Sequence, residues 1–244
     1  MWVDVVDFQI THVKKVMKAG GDNILFVVDD NAWKKAVDQG LPEDVLLMGP
    51  VLDIWMRDFS PFGLSNPAWY VFEPQYREDE AAHAIQDSLK DLLTSLDIDV
   101  PDGEDPEFVI DGGTMVDNGK DMAVVTTRIY QDNTDYEPTE AIEMLGRHIG
   151  KTLAVVDEAV GDATGHADGM VAFVSDNAIA LSPQNSLADD DKLEKQLKEQ
   201  LGSDITLFWL DSKPVVGRAH LTEQELLGFF DDIKLTGTKL MFFI

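Results

Sequence analysis

Three aspartates, Asp58, Asp111 and Asp168, stand at comparable points of the sequence, each shortly before an apolar run and a set of turn residues. A histidine, His166, lies two residues before the third. Residues i and i+2 of an extended strand project from the same face, so His166 and Asp168 should lie side by side. An imidazole next to a carboxylate can transfer protons near neutral pH. The sequence therefore predicts a proton-transfer site at residues 166–168.

The segments that carry these acids form an internal repeat. Residues 55–72, 111–126 and 166–181 each read as a hairpin with an acid near its open end, and residues 229–244 read as a fourth hairpin. The three acids recur at nearly even spacing, from position 58 to 111 and from 111 to 168. Such a period, about 55 residues long, indicates units arranged around an axis, which would bring the open ends of the hairpins together.

Short apolar runs alternate with amphipathic stretches along the chain, which is typical of an α/β protein with short connections. Helices are predicted over 10–19, 32–39, 79–96, 137–149 and 189–201. Strands are predicted at Ile24–Asp29, Val45–Met48, Phe108–Ile110, Met122–Thr127, Leu153–Val156, Met170–Val174 and Ile205–Leu210. We find no linker that would divide the chain, so residues 1–244 are expected to form one domain.

Several carboxylates around one point require a cation. A guanidinium fits well, because its fork of N–H donors matches carboxylates held in a plane. A divalent metal also suits His plus Asp, although a single histidine disfavours zinc and leaves magnesium or calcium. Each motif also has a purely structural interpretation: a capped turn at His166, an ion pair at Asp58 and a tight turn at Asp111.

The composition excludes several classes of function. The sequence has 46 Asp and Glu against 19 Lys and Arg, a formal charge of −27. Such a surface repels nucleic acid and anionic membranes. There is no cysteine, which removes disulfides, thiolate metal sites and a cysteine nucleophile. No apolar run is long enough to span a bilayer and no basic n-region opens the chain, so we expect a cytoplasmic location.

Three motifs, Trp55-Met-Arg-Asp58, Asp111-Gly-Gly113 and Gly165-His-Ala-Asp-Gly169, resemble those of the agmatine deiminase and bacterial peptidylarginine deiminase family. This family belongs to the guanidino-group-modifying superfamily. The resemblance implies the pentein fold, a five-bladed α/β propeller of ββαβ units with its active site on the axis. It also implies hydrolysis of a guanidinium group to a ureido group and ammonia, with no metal or organic cofactor. The substrate would be agmatine, free arginine or a peptidyl arginine.

The same resemblance implies roles for individual residues. Asp58 and Asp168 would grip the guanidinium, His166 would be the acid/base, and Asp111 would form the remaining acidic wall of the site. The other substrate contacts would come from Trp55, Arg57, Gly112, Gly113 and Gly165.

The sequence departs from the family pattern at the catalytic nucleophile. The family nucleophile is a cysteine on the last hairpin, and this sequence has none. Ser60 or Thr164 would need a far stronger base than one imidazole to replace it. We therefore expect about four of five blades, without the cysteine-bearing blade, and homo-oligomer formation through the open blade edge.

Three hypotheses remain open. The chain is an amidine hydrolase of the deiminase type, truncated or inactive for lack of the nucleophile. Alternatively, it is a non-catalytic module that binds guanidinium. The third and least favoured hypothesis is a metal-dependent hydrolase that uses the three aspartates and His166.

Overall fold

A computed structural model describes residues 2–19, 24–49, 52–63, 67–103, 105 and 107–210. Seven α-helices and eight strands lie in these residues. The helices are α1 Trp2–Ala19, α2 Asp30–Asp38, α3 Met56–Phe59, α4 Asp79–Ser95, α5 Arg128–Asp132, α6 Pro138–Ile149 and α7 Leu187–Leu201. The strands are β1 Phe26–Val28, β2 Leu46–Met48, β3 Met115–Asp117, β4 Met122–Thr126, β5 Thr152–Val156, β6 Val171–Ser175, β7 Ala178–Leu181 and β8 Thr206–Trp209.

Two stretches of chain repeat one topology. In the first, β3 and β4 form an antiparallel hairpin, the short α5 and then α6 follow, and β5 returns parallel to β4. In the second, β6 and β7 form the hairpin, α7 follows, and β8 returns parallel to β7. Each is a three-stranded ββαβ unit, with strand orders β3-β4-β5 and β6-β7-β8.

The segment before them follows the same order with weaker pairing. Phe62 and Ala68 form an antiparallel bridge, α4 follows, and Trp69 and Val71 then form parallel bridges to Asp102 and Val109. Nearer the N-terminus, β1 and β2 pair in parallel across α2. The described chain is thus a mixed α/β fold built on one recurring connection.

Each unit buries its own apolar cluster between helix and sheet. Leu193 and Leu197 of α7 pack with Ile179 and Leu181 of β7, and all four are 3 % exposed or less. Corresponding clusters lie beneath α6, beneath α4 and between α1 and α2. Spacings of three and four residues along each helix supply these buried faces. Each hairpin is therefore held by its own helix.

Side-chain amides bind the backbone at the outer edge of β5 and at the bridge residue Val109. The Gln200 amide accepts from Val155 N at 2.9 Å and donates to Val155 O at 2.8 Å, on the side of β5 away from β4. The Asn133 amide does the same for Val109, at 2.8 and 2.7 Å. These bonds satisfy backbone groups that an open edge would offer to another chain.

The strand predicted at Phe108–Ile110 is wrong. This segment makes one parallel bridge, Val71 to Val109, instead of a ladder, and the Asn133 amide binds the edge of Val109 that faces away from Val71. The helix predicted over 10–19 begins earlier, at Trp2. The fourth hairpin, predicted at 229–244, lies outside the described residues. The number of blades and the single domain over 1–244 stay predictions.

Within the described chain, no helix has the combination of length and apolarity that crossing a membrane requires.

Candidate functional site

His166 lies among three carboxylates that come from distant parts of the chain. Its Nε2 is 3.1 Å from Asp111 Oδ2, and its Nδ1 is 3.9 Å from both Asp58 Oδ1 and Asp168 Oδ1. The structure therefore brings together all four residues that the sequence nominated as catalytic, although they are spread over the chain from position 58 to position 168. Each acid precedes the hairpin of a different unit, as the repeat predicts. Their chemical roles remain predictions.

The short helix α3 presents Asp58. Its first turn is closed by a hydrogen bond from Asp58 N to Trp55 O, at 3.0 Å. Met56 and Phe59 pack in the core. Asp58 lies between them in the sequence and is also buried, with 9 % of the residue exposed. The Trp55 side chain is 51 % exposed. Its predicted contact with the substrate stays a prediction.

Asp111 is nearly enclosed, with 3 % exposure, and it caps the turn that follows it. Its Oδ1 accepts from Gly113 N at 2.9 Å, which leaves Oδ2 directed toward His166. The backbone at Gly113 then supports the neighbouring unit, because its carbonyl accepts from Ala167 N at 2.8 Å and from Asp168 N at 3.2 Å. A single turn therefore orients both the imidazole and the third acid.

The loop before His166 is fixed by buried polar contacts. Gly165 has φ +69°, a left-handed conformation that glycine adopts without strain. Its carbonyl accepts from the Thr126 hydroxyl at 2.5 Å. The Arg128 side chain pairs with Glu158 at 3.1 Å and donates to Ala163 O at 3.0 Å. This rigidity fixes the direction from which His166 enters the site.

Arg57 is a cation supplied by the chain itself. Its Nε lies 2.9 Å from Asp168 Oδ2, and its Nη2 donates to Met115 O at 2.8 Å. Sequence reasoning assigned Arg57 to the substrate, and that assignment stays a prediction. In this structure Arg57 partly balances the carboxylate of Asp168.

Tyr76 is a site residue that sequence reasoning missed. Its hydroxyl donates to Asp111 Oδ2 at 2.8 Å and lies 3.3 Å from Asp58 Oδ2. Its ring meets the His166 ring edge-on, with centroids 6.3 Å apart. No motif or spacing marks Tyr76, which lies in a loop between a predicted hairpin and a predicted helix, so the sequence carries no signal for it.

The enclosure shifts the ionisation of the cluster. Burial raises the pKa of Asp58 to about 7, and the nearby charge of Asp111 adds to the effect. Burial also raises the pKa of Asp168, although Arg57 opposes this. Burial alone would lower the pKa of His166, but the three carboxylates, Asp111 foremost, outweigh it and raise that pKa. The cluster therefore holds fewer negative charges near neutrality than its three acids suggest.

Glycines at the site make room for neighbouring protein atoms. A Cβ on Gly112 would lie 1.8 Å from Arg57 O, and one on Gly113 would lie 2.3 Å from His166 Nδ1. A Cβ on Gly165 would lie 2.5 Å from Arg128 Nε. The three glycines therefore permit the close packing that brings the units together. Their proposed contact with substrate stays a prediction.

The cluster is also compact enough for a metal ion. Asp58, Asp111 and His166 each offer one ligand atom, and these atoms lie within 4.8 Å of one another. The arrangement can thus hold a cation of either kind, a guanidinium or a divalent ion, and can exchange a proton through the imidazole.

Comparison with known proteins identifies the family. Residues 4–211 match the model of the Porphyromonas-type peptidyl-arginine deiminases. This match covers most of the chain, which therefore belongs to that family. No curated protein sequence matches.

Solved structures with the same fold include agmatine deiminases. The C. jejuni agmatine deiminase superposes with a TM-score of 0.66 at 16 % identity, covering 88 % of this chain and 68 % of that one. The agmatine deiminase of Enterococcus faecalis superposes with a TM-score of 0.56 at 14 % identity, covering 82 % and 62 %. A cysteine-to-serine variant of the C. jejuni enzyme, solved with substrate bound, gives 0.60 at 15 % identity and covers 85 % and 69 %. This chain spans about two thirds of their lengths, and identities this low establish a shared fold.

Proposed function

We propose that the chain binds the guanidinium group of agmatine, or of free or peptidyl arginine, at Asp58 and Asp168. In a deiminase this group becomes a ureido group with release of ammonia. The observation that carries the proposal is the placement of His166 within 3.1 to 3.9 Å of three carboxylates from three units. A planar cation can bridge carboxylates by charge-assisted hydrogen bonds while the imidazole exchanges protons.

Binding and turnover are separate properties of this chain. The 244 residues contain no cysteine, so they do not themselves supply the thiolate that the resemblance to the deiminase family implies. The carboxylates need no nucleophile to bind a cation. A relative whose cysteine is replaced by serine was solved with substrate bound, which supports binding without the thiol. We therefore propose a guanidinium-binding chain that is inactive on its own.

A divalent metal ion would use some of the same ligand atoms as the guanidinium. Asp58, Asp111 and His166 suit magnesium or calcium as well as a guanidinium. Calorimetric titration with agmatine, arginine and each metal ion decides between the two. Saturable binding of agmatine or arginine in the presence of a chelator supports the proposed function. Binding of a metal ion alone, with no response to either guanidine, contradicts it.

Agmatine binding should tighten about tenfold as pH rises from about 6 to about 8. Asp58, whose pKa is about 7, is neutral at the lower pH and anionic at the higher one, and only the anion attracts the cation. The raised pKa of His166 acts in the same direction, because the imidazolium repels the ligand and disappears as pH rises. Calorimetry in two buffers of different ionisation enthalpy measures the affinity and the protons released.

Two variants control this pH profile. Asp58→Asn should bind agmatine weakly and with a flatter profile, because the titrating carboxylate is gone. Asp176→Asn should behave like the unchanged chain, since Asp176 pairs with Lys120 at the surface. Affinity that is constant with pH in the unchanged chain would contradict the assignment of Asp58 to the cation.

A further inference from the structure

Tyr76 lies within hydrogen-bonding distance of two acids of the site, Asp111 and Asp58. Its hydroxyl donates to Asp111 Oδ2 at 2.8 Å and reaches Asp58 Oδ2 at 3.3 Å. Among the described residues, no other group lies within hydrogen-bonding distance of the Asp58 carboxylate, and His166 Nδ1 is farther away at 3.9 Å. Asp111, in contrast, also accepts from Gly113 N. The orientation of Asp58 therefore depends on Tyr76.

The backbone on both sides of Tyr76 is tethered. On one side, the Gln75 side chain accepts from Arg128 Nη1 at 3.1 Å. On the other side, Arg77 Nη2 pairs with Asp53 Oδ2 at 2.6 Å, and Arg77 N closes a turn onto Pro74 O at 3.0 Å. These contacts fix the loop on two different parts of the chain. The position of the Tyr76 hydroxyl next to Asp111 and Asp58 is therefore fixed by the contacts of Gln75 and Arg77 as well as by its own hydrogen bonds.

We propose that Tyr76 is a positioning residue that fixes the plane of the Asp58 carboxylate and thereby makes the site prefer a guanidinium to a simple ammonium ion. The inference rests on the proposed function. A guanidinium donates through a rigid planar fork, so it requires carboxylates in a matching plane. An ammonium group can rotate its three N–H donors toward the available acceptors, so its binding depends little on the orientation of the carboxylate plane.

The hydroxyl remains a donor over the whole working range of pH. Burial and the charges of Asp111 and Asp58 raise the pKa of Tyr76, so it does not ionise there. Two carboxylates in close proximity repel each other unless a proton lies between them. Removal of the hydroxyl leaves the Asp111 carboxylate held by Gly113 N and close to His166, but it frees the Asp58 carboxylate to rotate away.

The test compares two ligands on the Tyr76→Phe chain. Calorimetry measures the affinity for agmatine and for the diamine putrescine, in which an ammonium replaces the guanidinium. We expect Tyr76→Phe to weaken agmatine binding by about tenfold and putrescine binding by less than about twofold, since only the planar ligand loses its match. The preference for guanidinium should therefore fall by at least about fivefold.

Tyr136→Phe is the matched control. The Tyr136 hydroxyl also donates to an aspartate, Asp105 Oδ2 at 2.7 Å, and its ring packs on Phe108. Loss of that bond should leave the agmatine-to-putrescine ratio unchanged. Gln75→Ala provides a second variant, which releases one tether and keeps the hydroxyl, and it should lower the ratio by about twofold.

The outcomes separate the two proposals. Equal weakening of both ligands by Tyr76→Phe would indicate only a structural role and would overturn the inference, as would unchanged affinity for both ligands. In either case, binding by the unchanged chain leaves the proposed function standing. If the unchanged chain binds no guanidine, the proposed function fails, and the inference fails with it.

Discussion

A chain of these 244 residues is expected to bind agmatine or arginine without releasing ammonia above the level of a His166→Ala control. The guanidinium carbon is a poor electrophile because resonance stabilises it, and a thiolate is the protein nucleophile best suited to attack it. The sequence has no cysteine, and one imidazole that activates water does not replace the covalent step. The expected deficit is about 10⁶-fold or more, the usual scale of enzymatic acceleration.

Ammonia release, measured by a coupled assay, checks this expectation. Clear turnover by the cysteine-free chain that disappears in His166→Ala would contradict it and would require another nucleophile. If a cysteine-bearing segment is encoded beside these residues, joining the two should restore activity, and replacing that cysteine by serine should remove it again. Restoration would identify these residues as the guanidinium-binding part of an amidine hydrolase.

Replacement of Gly112 by alanine should destabilise the fold by about 3 kcal/mol. The new Cβ would lie 1.8 Å from Arg57 O and 2.9 Å from Arg57 C, which are backbone atoms that no rotamer change can move away. Either α3 or the turn at Asp111 has to shift, so the packing between two units is lost. Urea unfolding followed by circular dichroism measures the change in the free energy of unfolding.

Alanine substitutions at Gly169 and Gly113 are the controls for Gly112→Ala. Gly169→Ala meets no atom within 4 Å and should change the free energy of unfolding by less than about 0.5 kcal/mol. Gly113→Ala presses on the His166 ring, a side chain that can move, so agmatine binding should suffer more than stability. A Gly112→Ala chain as stable as the Gly169→Ala chain would show that the contact between α3 and the turn is loose.

Turn chemistry and helix periodicity account for the elements that the sequence predicted well. The third hairpin is predicted over residues 166–181, and it forms as β6 and β7 over Val171–Ser175 and Ala178–Leu181, with His166 and Asp168 in the loop before β6 and not on a strand. The helix expected over 79–96 is α4, one residue shorter. In both cases the local pattern of apolar residues is the pattern of burial, so tertiary contacts reinforce the local preference.

Elements that depend on tertiary partners escaped prediction. The Phe108–Ile110 run has the composition of a strand, but in the structure it makes only the bridge from Val109 to Val71, and its other edge is bound by the amide of Asn133, which is distant from Val109 in the sequence. Likewise, the acids of the site were found because they repeat at a fixed period and because their motifs resemble those of a known family. Tyr76 has neither signal, since its role follows only from where the loop folds.

The origin of the candidate site in three units has a consequence for how the molecule folds. Asp58, Asp111 and His166 are separated by a whole repeat in each case, so no single unit can hold the ligand atoms in place before the others have docked. Closing loops of this length is entropically costly and slow. A bound cation should therefore stabilise only the native state, in which all three units have docked. It should lower the rate constant of unfolding and leave the rate constant of folding unchanged.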